Sequence, residues 1–147
     1  RIGRNLFVHA GLSARLLERD LEMDTLNARM SEGLYRTSKE RREDPTLEFL
    51  YRSAGPVWYR GMVCTDEKYD PLTPEQTDAL LRRYDADRLL VGHTIFPDIS
   101  TFHDGRVIAV NVQNERNRRK NRGRAVLIEG SRISVVGNRG VKRVLEE

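Results

Sequence analysis

Two apolar runs along this chain each end on a histidine. In "NLFVHAGLS", Asn5 to Ser13, the run closes at Val8 and passes straight into His9. In "RLLVGHTIF", Arg88 to Phe96, it closes at Val91 and reaches His93 after one glycine. Short unbroken apolar runs of this kind predict buried strands. Between them, Leu16, Met23, Leu26, Met30 and Leu34 recur at spacings that keep to one helical face. That helical stretch is expected to start from a Ser13 cap and to end near "SKERREDP", where Pro45 stops it. Thr46–Ser53 adds a turn or two of helix, and "SAGPVWYRGM" is a Gly/Pro-bounded loop holding the only tryptophan. Residues 14–62 are therefore read as a helical and loop segment between the two histidine motifs.

The strongest local pattern is "TPEQTDALLRRYDADRLLVGH". Thr73 is a good N-cap, Pro74 suits the first helical position, and Gln76 completes a capping box. Ala79, Leu80, Leu81 and Tyr84 supply the apolar side, and a short link leads into the strand Arg88–Val91. Further on, Asp104-Gly105 and Gly130-Ser131 each separate two strand-like runs, which predicts two hairpins. Helix, short loop and buried strand, followed by hairpins, make an α/β fold.

Composition narrows the class. A chain of 147 residues suits one domain or a domain fragment, 1–147, and no apolar run approaches the length of a membrane span. Cys64 is the only cysteine, so no internal disulfide can form, and a cytoplasmic, reducing location is expected. The net charge of +4 is local: Glu115–Arg124, "ERNRRKNRGR", holds six basic residues and one acid, leaving 20 basic against 21 acidic elsewhere. This stretch is read as a solvated loop. It lacks the interleaved aromatics that stack bases, which argues against nucleic acid as partner.

The histidines carry the candidate chemistry. Ligands collect beyond the carboxyl ends of strands in open α/β sheets. Gly11 and Gly92 permit close backbone approach beside the two histidines, and neutral imidazole is a good ligand for zinc, iron and manganese. The bland alternative at each position is a satisfied core histidine. His103, at a hairpin tip, is read as a solvated turn residue. Asp98 lies near enough to be considered, Cys64 is read as a buried thiol, and Trp58 as packing.

"LFVHAGLS" resembles the "VHGGL" segment of the calcineurin-like metallophosphoesterases, close to the phosphoprotein phosphatases and the bacterial Shewanella-like branch. "LLVGHTIFPDISTFHDGRVIAVNV" is similar to the family's later "GHT" segment, and "GPVWYRGM" to the loop between them. The order and rough separation also agree. The resemblance covers nearly the whole chain but only the C-terminal half of the family's domain, implying half of a β-sandwich flanked by helices, with hairpins toward the C-terminus. It implies that His9 and His93 ligate one metal of a two-metal centre, manganese first and iron or zinc as alternatives. Arg60 would bind phosphate; its alternative is a surface arginine stacked on Trp58 or Tyr59. The implied reaction is hydrolysis of a phosphate monoester, on a phosphoprotein or a small phosphoester, by water activated between two divalent cations.

The family's early motifs, Asp-x-His, "GDxxDRG" and "GNHE", are absent. No certain catalytic residue therefore lies in this segment, and an N-terminal companion segment or chain is the expected partner. Asn111 stands where the family usually has aspartate. A diadenosine-polyphosphate hydrolase, which also carries "HAG", is a close alternative. A phosphatase half retained as a non-catalytic interaction module is the alternative from another class.

Overall fold

The computed structural model describes residues 1–120 and 122–146. Its centre is a four-stranded sheet in the order β1 (Asn5–Val8), β2 (Arg88–Val91), β4 (Val107–Ala109), β3 (Ser100–Phe102). The first two pairings are parallel and the last antiparallel. A second sheet, β5 (Arg124–Glu129), β6 (Arg132–Gly137) and β7 (Gly140–Glu146), is an antiparallel meander. The expected α/β class is what the chain adopts.

Alternation along the strands sets the layers. Leu6, Leu89, Val91, Val107 and Ala109 enter a core with Leu26 of α1 (Met23–Leu34), Phe49 and Leu50 of α3 (Pro45–Tyr51), and Leu80 and Leu81 of α4 (Pro74–Arg83). Leu90 and Ile108 belong to a second cluster with Ile133 and Val135 of β6. Helices thus cover one face of the central sheet and the second sheet covers part of the other. Burying each of these leucine, isoleucine, valine or phenylalanine side chains stabilises by about 1.5–3 kcal/mol relative to exposure. Phe7 alternates with Leu6 and Val8 on β1, an edge strand, and stays 49% exposed.

Several local expectations hold. Thr73 and Gln76 form the reciprocal capping box of α4 with Pro74 in its first turn, and both hairpin turns fall where Asp104-Gly105 and Gly130-Ser131 put them. Others are corrected. Ser13 makes no side-chain cap; its buried hydroxyl donates to the Ala54 carbonyl at 2.8 Å and ties two loops together. Pro45 does not stop a helix but opens α3, capped by Asp44, whose Oδ1 accepts from the Thr46 and Leu47 amides. The preceding charged stretch forms its own short helix, α2 (Ser38–Glu43), and all but the first residue of α5 (Asn114–Arg119) falls in the segment read as a basic loop. Among the described residues, no helix is long and apolar enough to cross a membrane.

Candidate functional site

The register of β1 against β2 builds the site. Val8 lies opposite Val91, so both strands end at the same level. The ladder runs one step further, the Gly92 amide donating to the His9 carbonyl at 2.9 Å. A Cβ on residue 92 would come within 3.2 Å of that oxygen, which accounts for glycine there. His93 then turns the chain in a left-handed conformation, φ +59°, uncommon for a residue with a side chain. The result is that His9 Nε2 and His93 Nδ1 stand 3.1 Å apart. The ring centroids are separated by 4.9 Å and tilted by 57°.

At 3.1 Å the two nitrogens share either a proton or a ligand. Two imidazole nitrogens each bound to one cation at roughly 2.0–2.1 Å, at near a right angle, sit about 3 Å apart. The pair therefore fits a metal ion. The other His93 nitrogen, Nε2, is buried without a hydrogen-bond partner among the described residues, so its N–H awaits an acceptor of the kind that orients a metal-binding histidine. Two imidazoles are a partial ligand set: among the described residues, no group of three or more His, Cys, Asp or Glu is placed to hold a metal.

Burial, then the nearby Arg60 guanidinium, then His9 hold His93 below the usual histidine range. It is thus neutral, and competent to ligate, at neutral pH. Because the folded pKa lies below the unfolded one, this group's contribution to stability is full above the unfolded pKa and lost as pH falls through the folded one. An NMR titration of the His93 ring is expected to give a midpoint below that of a histidine in an unstructured peptide, moving upward in Arg60→Ala. An unshifted midpoint would show that the ring is solvated.

Arg60 sits in a tight loop in which the Trp58 and Tyr59 amides both donate to the Gly55 carbonyl. Its Nη1 donates to Thr94 Oγ1 at 3.0 Å, which anchors the guanidinium beside His93. It makes no ion pair among the described residues, so the rest of its fork is open to an oxyanion. Trp58, read from the sequence as packing, is 53% exposed and meets the His93 ring edge-on at 5.3 Å, walling one side of the site. Thr94 carries no chemistry of its own in the sequence beyond its place in the "GHT" triplet; its role comes from the contact with Arg60.

The other candidates fall elsewhere. His103 is not a solvated tip residue: Nδ1 lies 3.2 Å from Thr77 Oγ1 and Nε2 lies 3.1 Å from the Met62 carbonyl, so it pins the hairpin to α4. Asp98 accepts from the Ile99 amide and from Arg124 Nε at 3.1 Å, which uses it structurally. Cys64 is a half-buried free thiol.

No family model matches the chain, and no curated protein matches it in sequence. Solved structures do match. The chain is similar to the cold-active protein tyrosine phosphatase of a psychrophilic Shewanella species, with a TM-score of 0.84 and 26% identity. The match covers 97% of this chain and 40% of that one. A second structure described as a cold-active protein tyrosine phosphatase gives a TM-score of 0.83 at 26% identity, over 96% of this chain and 39% of that one. The chain therefore spans about two fifths of the length of the phosphatases whose fold it shares.

Proposed function

We propose that this chain is the C-terminal portion of a metal-dependent phosphatase, and that His9 Nε2 and His93 Nδ1 hold one divalent cation of its site. The observation that carries the reading is the 3.1 Å approach of two strand-end imidazoles beside an arginine that makes no ion pair among the described residues. The likeness to protein tyrosine phosphatase structures supports the phosphatase part of it; the metal-dependent part rests on the histidine pair and on the resemblance of "VHAGLS", "GPVWYRG" and "VGHT" to calcineurin-like metallophosphoesterase motifs. Divalent cations bound there, with manganese as first candidate and iron or zinc as alternatives, would supply charge neutralisation at phosphate and a more acidic bound water. His9 and His93 would supply two of the metal ligands, Arg60 would clamp two phosphoryl oxygens with its fork, and Thr94 would keep that fork aimed.

The half-set of ligands implies a companion segment carrying the rest. The uncovered side of β1, where Phe7 is exposed, suits its docking, because an edge strand offers unpaired backbone and an apolar face. A phosphorylated tyrosine, serine or threonine in a protein is the proposed substrate, in a cytoplasmic setting.

Hydrolysis of p-nitrophenyl phosphate, with and without added Mn²⁺, tests the reading. Activity that requires the metal supports it. Its absence in folded protein, with and without a supplied companion segment, moves the interaction-module reading to the front. Arg60→Lys is expected to lower kcat/KM about tenfold, since a point charge replaces a planar fork. Unchanged kcat/KM would return Arg60 to the surface.

A further inference from the structure

Arg60 and Trp58 also line an open groove of about 710 Å³ to which neither His9 nor His93 contributes. Three more cations line it, each from a different segment: Arg15 just after the His9 loop, Arg52 at the end of α3, and Lys68 in the turn beyond Cys64. The one acid among them is Asp70. Arg15 and Arg60 have no ion pair among the described residues. Arg52 and Lys68 hold Glu48 at 3.3 Å and Asp66 at 2.9 Å through exposed pairs that exchange readily.

The walls are fixed rather than draped. The fully buried Ser13 joins the Arg15 turn to Ala54, two residues after Arg52. Tyr59, 3% exposed, donates its hydroxyl to the Asp70 carbonyl at 2.5 Å, locking the Arg60 loop to the Lys68 turn. Burial pushes that phenol up, so it remains a donor at any working pH. The three cation-bearing segments therefore keep their spacing.

We infer that this groove is an anion subsite, reading a carboxylate or second phosphate that the substrate peptide carries beside the residue being dephosphorylated. The inference rests on the phosphatase reading of His9, His93 and Arg60. A peptide fits better than a nucleotide because most of the groove's rings are taken. Arg41 covers the face of Tyr51, Lys68 covers Tyr69, and Tyr59 is buried, which leaves Trp58 alone to stack a base. Cations contributed by separate segments match charges spaced along an extended chain.

Fluorescence anisotropy with labelled phosphotyrosine peptides, flanked by alanine, glutamate or phosphoserine, tests this at low salt. The acid-flanked peptides are expected to bind about tenfold tighter than the alanine-flanked one. The tighter of the two identifies the anion's source. In Arg15→Glu the advantage falls below about twofold, and a lysine-flanked peptide becomes the preferred ligand. Equal binding of alanine- and acid-flanked peptides overturns the subsite. Diadenosine tetraphosphate displacing the peptides in an Arg15-dependent way, and binding more tightly than any of them, overturns the peptide assignment. If glutamate-flanked tyrosine binds as well without its phosphate, the subsite stands and the phosphatase reading fails.

Discussion

Replacing His93 with alanine is expected to lower the affinity of the chain for Zn²⁺ about 100-fold in isothermal titration calorimetry. Zinc is the probe because imidazole binds it well and it has no redox chemistry. The size of the effect follows from geometry. With His9 Nε2 already bound, His93 Nδ1 is held 3.1 Å away on the end of an adjacent strand, so the second bond forms without a further search. Removing it turns a two-point ligand into a one-point ligand. His9→Ala should cost about as much, for the same reason. His103→Ala is the control, since both ring nitrogens of His103 already face protein partners; its affinity should stay within about twofold of the parent. If all three variants bind zinc like the parent, His9 and His93 share a proton and nothing more.

How these two histidines meet marks the boundary between what a sequence shows and what it withholds. Each strand end is legible locally, as an apolar run broken by His9 or by Gly92 and His93. So are the Thr73 capping box and the two hairpin turns, because their chemistry lies within four or five residues. The register pairing Val8 with Val91 is not local: a shift of one residue would turn every side chain of β1 to the other face. Pro45 was ambiguous for a physical reason, since the missing N–H that ends one helix is tolerated in the first turn of the next. What settles it is the Asp44 carboxylate, which caps α3. α5 was hidden because its sequence, NERNRR, is polar all round. The basic groove was hidden because Arg15, Arg52 and Lys68 lie far apart in sequence and are ordinary surface residues taken singly. His103 differs from its local reading for the opposite reason: its turn position is that of a solvated residue, but Thr77 and Met62 reach it from elsewhere in the chain.

The second large effect expected is on stability. Gly55→Ala should cost about 3 kcal/mol, lowering Tm by roughly 10 °C in a chain of this size, read by circular dichroism. The position is buried just past the end of α3, and a Cβ there would lie 2.1 Å from the Leu50 carbonyl oxygen and 2.5 Å from that of Phe49. Backbone is in the way, so no side chain can swing aside. Leu50 and Phe49 are themselves buried in the core, which resists the shift. The strain also reaches the site by two routes. The Gly55 carbonyl accepts from Trp58 and Tyr59, which position Arg60, and the neighbouring Pro56 carbonyl accepts from the Ala10 amide at 2.9 Å, beside His9. Gly105→Ala separates space from dihedral strain: a methyl there meets nothing within 4 Å, and only the φ of +85° opposes it. That variant should lose about 1 kcal/mol and leave zinc affinity alone. A Gly55→Ala protein that melts with the parent would mean that the α3 end gives way without cost. One that melts early, and also binds zinc and phosphopeptide more weakly while folded, ties both halves of the site to a single close contact of backbone on backbone.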